Sequence, residues 1–221
     1  MNSLRQWANG WLSEISYVGS RAKGTAVAGG TDLDIFISLK PDTPYTLEQT
    51  YERLLLWSTN QYWLPRRQNV SIGINYLGTK IDLVPGRLQD GFIYYHSLWR
   101  RKAHAWTQTA PGIHIPTVRD SGRTREIRAI KAWRQNYALD FPSFYLELSV
   151  LDALRGCGWD LERNVQRALG PIADHLETAS VADPANTANV VSDELTAAEK
   201  RTIARQARRS FDEKSWRLTL W

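Results

Sequence analysis

The sequence predicts an α+β protein with an N-terminal lobe built around a small mixed sheet and a C-terminal helical lobe. Up to about residue 105, short strand-like runs alternate with helical segments, whereas beyond it apolar residues recur at helical spacing. The chain has 221 residues, 43% of them hydrophobic, and ten tryptophans, which is enough to bury the core of one domain or of two small lobes. We therefore expect the lobes to occupy residues 1–105 and 106–221.

The N-terminal lobe is expected to contain two helices and four strands. Apolar spacing predicts a helix over residues 2–13. Thr46 is a suitable first residue for a second helix, which we expect over 46–59. The strands are expected in four runs, with RAKG as a brief helical turn after the first of them: ISYVGS, residues 31–39, NVSIGINYLG and TKIDLVPG.

Four helical segments are expected in the C-terminal lobe. In SGRTREIRAIKAWRQNY, Ile127, Ile130 and Trp133 form an apolar stripe. The other three segments are DFPSFYLELSVLDALRG, DLERNVQRALGPIADHLETA and SDELTAAEKRTIARQARRSF. The last two are joined by VADPANTANVV, which we expect to be a loop whose polar residues order a turn.

The composition indicates the cellular environment of the protein and the class of molecule that it binds. The single cysteine, Cys157, excludes internal disulfides and cysteine-based zinc sites, which fits a cytoplasmic environment. The polar start lacks the apolar core of a signal peptide, and no run approaches the roughly 18 apolar residues of a membrane helix, so no membrane association is expected. A net charge of +5, with basic residues concentrated in 98–104, 118–134 and 199–217, favours a polyanionic partner such as RNA.

Two acids in the strand expected over residues 31–39 point to a metal site. Alternation along a strand places Asp32 and Asp34 on the same face. Adjacent carboxylates repel, and burying them costs several kcal/mol unless a positive charge lies between them, so a divalent cation is the expected partner. Asp82, in a later strand, would join the pair if the two strands are neighbours. Three such acids can hold two magnesium ions roughly 4 Å apart, an arrangement suited to phosphoryl transfer.

Upstream of these acids, VGSRAKG places Gly19 and Ser20 at the mouth of a helical turn. The free backbone N–H groups of such a turn, together with a serine hydroxyl, suit the oxygens of a phosphate. The sequence therefore predicts a phosphate site directly before the metal site.

The order and spacing of these motifs strongly resemble the nucleotidyltransferases of the DNA polymerase beta superfamily. The matching motifs are GS, then DLDIF, then KIDLVPG on a distant strand. The segments GRTREIRAIKAWRQ, FPSFYLELSVLDAL and ADPANTANVV are similar to the helical domain of 2′-5′-oligoadenylate synthetases, archaeal-type CCA-adding enzymes and bacterial cyclic-oligonucleotide synthases. The resemblance thus covers most of the chain and implies a nucleotidyltransferase (palm) lobe followed by a helical nucleotide-binding lobe.

The resemblance implies a role for each matching residue. Asp32 and Asp34 would bind both metal ions, Mg²⁺ or Mn²⁺. Asp82 would bind the catalytic metal and activate the attacking hydroxyl, and Gly19 and Ser20 would hold the β and γ phosphates of an NTP.

Three residues of the helical lobe are also similar to positions that bind the nucleotide in this family. Lys131 matches a lysine that contacts the triphosphate, the alternative being a solvated helix residue. Ser143 and Tyr145 are similar to residues that face the nucleotide. Ser143 could equally cap the helix that follows Pro142, and Tyr145 could equally be a core residue.

Together these features predict an enzyme with its active site between the two lobes. It would transfer a nucleoside monophosphate from an NTP, expected to be ATP, to a hydroxyl group and release pyrophosphate. An RNA 3′ end is the first choice of acceptor, because of the basic segments. The alternatives are a second nucleotide, which gives a short or cyclic oligonucleotide, a protein or small molecule that receives AMP, and a non-catalytic module that binds nucleotide or RNA.

Overall fold

The computed structural model describes residues 1–29 and 32–213, which form two compact units. The first unit comprises residues 1–22 and 32–115, and the second comprises 23–29 and 116–213. Thr31, which the sequence places at the start of a strand, and the basic residues after 213 lie outside the described residues.

This division differs from the predicted boundary at residue 105 in two places. The first unit continues to Ile115 because the strand Ala105–Thr109 pairs with the strand before it. The segment 23–29 is grouped with the second unit, where Lys23 and Thr25 hydrogen-bond to Glu147. Neither feature has a signal in the hydrophobic pattern, since the first depends on strand pairing and the second on contacts with a residue distant in sequence.

The first unit is built on a mixed seven-stranded sheet with helices packed against it. Its elements are α1 (Asn2–Ala8), β1 (Leu12–Tyr17), α2 (Gly19–Ala22), β2 (Leu33–Leu39), α3 (Leu47–Asn60), β3 (Arg66–Arg67), β4 (Ile72–Tyr76), β5 (Thr79–Leu88), β6 (His96–Arg100) and β7 (Ala105–Thr109), with 3₁₀ turns at Asn9–Trp11 and Arg101–Ala103. The strand order is β1-β2-β5-β4-β3, and β6 pairs with both β5 and β7. Only β2 and β5 run parallel; the other described pairs are antiparallel.

The first helix is shorter than predicted, whereas the second begins where its capping residue predicts. α1 ends at Ala8 because Asn9 adopts a φ of 44°, and β1 begins at Leu12 instead of continuing the helix. In α3, the Thr46 side chain accepts from the backbone of Gln49, and the Gln49 side chain accepts from the backbone of Thr46 in return.

Strand β2 is buried on both faces along most of its length. Ile35 and Ile37 lie in the core of the first unit. Phe36, on the opposite face, is only 3% exposed and packs edge-on against His96, with ring centroids 4.8 Å apart. The face that carries the acids is therefore buried further along, and Asp34 lies half-buried near the beginning of the strand.

The second unit contains the four predicted helices and one that the sequence did not predict. They are α4 (Pro111–Arg119), which begins in the first unit, α5 (Thr124–Asn136), α6 (Ser143–Ala153), α7 (Leu161–His175) and α8 (Ala197–Asp212). The missed helix is α4, whose pattern is obscured by the proline inside it, Pro116.

The segment predicted as a loop contains a short hairpin. Its strands are β8 (Ala182–Asp183) and β9 (Asn186–Val190), followed by a 3₁₀ turn at Val191–Glu194. Asp183 orders the turn, because its Oδ1 accepts a hydrogen bond from the Ala185 backbone at 2.8 Å.

The helices of the second unit enclose their own core. Ile127, Ile130 and Trp133 of α5 are fully buried there, and Trp133 Nε1 donates to Ser210 Oγ at 2.9 Å. The fold is α+β, with the mixed sheet in the first unit and helices predominating in the second, as predicted. Across the described ranges, no helix is both long and apolar enough to span a membrane.

Candidate active site

Asp34 and Asp82 lie side by side on neighbouring strands. β2 and β5 run parallel, and the register pairs Asp34 directly with Asp82. Paired residues on adjacent strands have their side chains on the same face of the sheet. Asp32 comes two residues before Asp34, so alternation places it toward that face as well. The register thus places Asp34 beside Asp82, and Asp32 directly precedes β2.

The charges at this position are unbalanced. Burial raises the pKa of Asp82, and the charge of Asp32 raises it further. A hydrogen bond from Gln68 and the charge of Arg66 act in the opposite direction, but they do not restore the ordinary pKa. A carboxylate in this situation is stabilised by any cation that binds beside it.

The donor set of this site suits a hard divalent cation. Asp32, Asp34 and Asp82 offer carboxylate oxygens, the ligands that Mg²⁺ and Mn²⁺ prefer. Over residues 1–29 and 32–213, no three acidic, histidine or cysteine side chains are already grouped closely enough to hold a metal ion. The case for a cation at this position therefore rests on the strand register and on the donor chemistry.

The Gly-Ser turn lies directly against Asp34. Gly19 begins α2 with a φ of +64°, and a Cβ on this residue would lie 1.8 Å from Asp34 Oδ2. The backbone N–H of Val18 donates to the Asp34 carbonyl at 3.0 Å, which fixes the turn to β2. Only glycine fits this approach, because any side chain at position 19 would displace the carboxylate. Ser20, the next residue, is half-buried at the same turn.

Lys131 is enclosed within the second unit. Its ammonium donates to Glu147 Oε1 at 2.6 Å and to Thr25 Oγ1 at 2.9 Å, and the residue is 2% exposed. Lys23 donates to the other oxygen, Glu147 Oε2, at 2.8 Å. Burial lowers the pKa of Lys131 despite the nearby Glu147 carboxylate. The alternative of a solvated helix lysine is therefore wrong.

Ser143 lies at the first position of α6, but it does not cap the helix. No side-chain hydrogen bond caps α6, so the capping alternative is wrong. Its Oγ instead accepts from Arg134 at 3.0 Å, and Arg134 also donates to the carbonyl of Phe141 at 2.7 Å. Ser143 thus helps to hold the segment that leads into α6.

Tyr145 is a core residue. It is 1% exposed and packs edge-on against Phe141, with centroids 5.2 Å apart. Its hydroxyl has no hydrogen-bond partner among the described residues, and its side chain lines a cavity of ≈ 560 Å³ within the second unit. The neighbouring aromatic residue, Phe144, is only partly buried, and the Lys23 ammonium lies 4.3 Å from its ring centroid.

Two groups of residues at these positions were not predicted from the sequence. Glu147 carries a usable signal, because a single acid within the apolar run FYLELSVL must be paired when the helix is buried. Gln68 and Ser71 carry none, since they occupy a polar loop between β3 and β4 in which nothing distinguishes them from surface residues.

Comparison with known proteins gives matches in structure only. No protein-family model and no curated protein sequence matches the chain. CdnC of E. coli MS115-1, solved with ATP, superposes with a TM-score of 0.78 at 18% identity, over 96% of this chain and 80% of CdnC. The CD-NTase CdnG of Bradyrhizobium diazoefficiens, solved with GTP, gives 0.74 at 15% identity, over 99% of this chain and 87% of CdnG.

A third similar structure is the cyclic AMP-GMP synthase DncV of Vibrio cholerae. It superposes with a TM-score of 0.62 at 16% identity, over 91% of this chain and 65% of DncV. The chain therefore has the nucleotidyltransferase fold of the CD-NTases, in agreement with the resemblance of its motifs.

Proposed function

We propose that this protein is a divalent-metal-dependent nucleotidyltransferase that joins NTPs, ATP among them, into a short or cyclic oligonucleotide. The observation that carries this proposal is the paired Asp34 and Asp82, with Gly19 packed against Asp34. Support also comes from the fold, which the chain shares with a cyclic dinucleotide synthase of Elizabethkingia meningoseptica, solved with GTP, and with DncV.

The residues of the first unit have distinct proposed roles. Asp32 and Asp34 would hold both metal ions, and Asp82 only the catalytic one. Bound Mg²⁺ or Mn²⁺ would neutralise the triphosphate and lower the pKa of the attacking hydroxyl. Gly19 and Ser20 would bind the β and γ phosphates. The hydroxyl oxygen then forms a bond to the α-phosphorus, the bond between that phosphorus and the β-phosphate bridge breaks, pyrophosphate leaves, and the hydroxyl proton passes to water.

A second nucleotide is now a better supported acceptor than an RNA 3′ end. The RNA reading depends on basic segments alone, and a net charge of +5 does not distinguish nucleic acid from nucleotides. The similar solved structures include several cyclic dinucleotide synthases. Transfer of AMP onto a protein or small molecule has no structural observation in its favour, and a non-catalytic module would not need all three acids.

A triphosphate contact by Lys131 remains a prediction. In the described conformation its ammonium is committed to Glu147 and Thr25. Binding to a phosphate would therefore require an exchange of partners, in which Glu147 keeps the ammonium of Lys23. Ser143 and Tyr145 likewise remain predictions as nucleotide-binding residues, and the buried position of Tyr145 makes Phe144 the more accessible aromatic residue of this segment.

The proposal is tested by incubating the protein with each α-³²P-labelled NTP, alone and in pairs, with Mg²⁺ or Mn²⁺. Products are treated with phosphatase and with a 3′-5′-linkage nuclease and then separated by chromatography. A parallel arm adds total RNA, and Asp82→Asn serves as the inactive control. We expect a phosphatase-resistant small oligonucleotide that depends on metal and on Asp82.

Each other outcome of this experiment assigns a different function. Label that enters RNA in place of a small oligonucleotide would restore the RNA 3′ end as acceptor. Label on the protein would indicate AMP transfer. Metal-dependent NTP binding with no product in any arm would leave a nucleotide-binding module and overturn the proposed enzyme.

A further inference from the structure

Gln68 lies against Asp82, and both ends of its side-chain amide have a partner. Its Nε2 donates to Asp82 Oδ1 at 2.8 Å, and its Oε1 accepts from Ser71 Oγ at 2.7 Å. Because a carboxylate only accepts and the serine hydroxyl here donates, the two partners fix which end of the amide faces Asp82. The three side chains form a relay that runs from Ser71 through Gln68 to Asp82.

The backbone that carries this relay is anchored to the core. The hydroxyl of Tyr51, a fully buried residue of α3, lies 2.9 Å from the carbonyl oxygen of Gln68 and 3.1 Å from that of Ser71, and its single proton can be donated to either of them. The Gln68 backbone N–H donates in turn to the Ser71 carbonyl at 3.1 Å, which closes the loop on itself. The side-chain amide of Gln68 is therefore fixed both by its own hydrogen bonds and by the anchoring of the backbone that carries it.

Gly73 provides the space in which Gln68 meets Asp82. It is the register partner of Asp82 on β4. A Cβ at this position would lie 2.7 Å from Gln68 Nε2 and 3.2 Å from Asp82 Oδ1. The absence of a side chain at residue 73 thus permits the contact, and a larger residue would force the amide away from the carboxylate.

From this geometry we propose that Gln68 is a positioning residue of the candidate active site, which holds Asp82 Oδ1 so that Oδ2 is presented to the catalytic metal. This inference rests on the proposed function. Partners that orient a metal-binding carboxylate commonly affect metal affinity as strongly as they affect activity. A residue with only a structural role would change stability and leave metal affinity unaltered.

The test compares Gln68→Leu, Ser71→Ala and the control Arg67→Ala with the unaltered protein. Arg67 is exposed on β3 and paired with Glu52, so its removal leaves the relay intact. Mn²⁺ is titrated by electron paramagnetic resonance in the presence of a non-hydrolysable ATP analogue, which reads metal affinity without turnover. Thermal unfolding and steady-state kcat and KM are measured on the same samples.

We expect Gln68→Leu to weaken the weaker of the two Mn²⁺ sites by roughly 10- to 100-fold. We expect kcat to fall in parallel while KM for ATP stays within about twofold, since the interaction serves the reacting centre more than nucleotide binding. Ser71→Ala is expected to weaken the same site by roughly threefold to tenfold, because Gln68 keeps its contact but loses its orientation. Arg67→Ala should resemble the unaltered protein.

Metal affinity within twofold of the unaltered protein in both Gln68→Leu and Ser71→Ala overturns the inference. If Gln68→Leu fails to fold, Ser71→Ala decides alone, since it deletes a single hydroxyl. A weaker Mn²⁺ site that depends on Gln68, in a protein without turnover, would support the positioning role and overturn the proposed function. Turnover that is unchanged in Gln68→Leu would support the proposed function and overturn the positioning role. A protein that binds no Mn²⁺ would overturn both the positioning role and the proposed function.

Discussion

The two units shift the pKa of a buried carboxyl group in opposite directions. In the first unit, burial and the charge of Asp32 raise the pKa of Asp82. In the second unit, burial alone would raise the pKa of Glu147, but the ammonium groups of Lys23 and Lys131 outweigh it, so that the pKa is lowered. One carboxylate is therefore left short of positive charge, and the other is supplied with two cations.

From this difference we infer that Glu147 serves stability and that Asp82 serves the proposed chemistry. Glu147 obtains its counter-charges from the chain itself, and removing any member of such a buried group leaves uncompensated charge. Asp82 lies in register with another acid and is incompletely balanced, which is unfavourable for folding and is typical of sites that act on a ligand.

Asp82→Asn should nearly abolish turnover without weakening the fold. The variant keeps the shape and the acceptor for Gln68 but removes one charge from the proposed shell of the catalytic metal, so we expect a loss of roughly a thousandfold or more in rate. Because the folded-state pKa of Asp82 is raised, its charged form opposes folding at neutral pH, so stability should stay equal or rise. Pyrophosphate release and chemical unfolding measure the two effects.

Asp34→Asn provides the comparison for this variant. Since Asp34 is proposed to hold both metals, it should lose metal-dependent ATP binding as well as turnover, whereas Asp82→Asn should retain binding. If Asp82→Asn turns over at close to the normal rate, or loses ATP binding as fully as Asp34→Asn, the assigned roles of the two acids are wrong.

Glu147→Gln should have the opposite profile, with a large loss of stability. Two buried ammonium groups would lose their shared counter-charge, and we expect the free energy of unfolding to fall by about 3 kcal/mol. The matched control is Asp152→Asn on the same helix, since the Asp152 side chain is 77% exposed and its pairing with Arg155 contributes little. Equal stabilities for the two variants would contradict the contrast between the units.

The elements of the fold could be predicted because their signals are local. The Thr46 cap, the apolar stripe of α5 and the strands around Asp34 and Asp82 follow from neighbours within a few residues. The differences arose where contacts between distant residues decide, as in segment 23–29, which hydrogen-bonds to Glu147 in the second unit.

The residues of the candidate site likewise divide into those with a local signal in the sequence and those without one. Asp32, Asp34 and Asp82 were predicted as a group because acids within strands conflict with the apolar pattern and because their motifs occur in the order of a known family. Lys131 was expected to be accessible, since the sequence does not reveal that Glu147, 16 residues further on, encloses it. Gln68 could not be found at all, because its role depends on the register between β4 and β5.

The stabilisation contributed by Glu147 should depend on pH, because the pKa of its carboxyl is lowered in the folded protein. A carboxylate with a lowered folded-state pKa stabilises the protein above its unfolded pKa of about 4.3, and this stabilisation is lost as the pH falls below it. The difference in unfolding free energy between the unaltered protein and Glu147→Gln should therefore be full at pH 7 and shrink from about pH 4.5 downward. A difference that stays constant with pH would show that Glu147 acts through packing rather than charge.

The smallest expected effect is stabilisation by metal, which should belong to the first unit alone. A cation that binds only the folded protein at ten times its dissociation constant raises the free energy of unfolding by about 1.4 kcal/mol. We expect Mg²⁺ to produce such an increment in the unaltered protein and in Glu147→Gln, because the latter change lies in the second unit. Asp34→Asn should lose the increment, and potassium chloride of equal ionic strength, the control for screening, should not reproduce it. An increment that survives in Asp34→Asn but disappears in Glu147→Gln would mean that the cation binds the second unit, and the assignment of the two carboxylates would have to be exchanged.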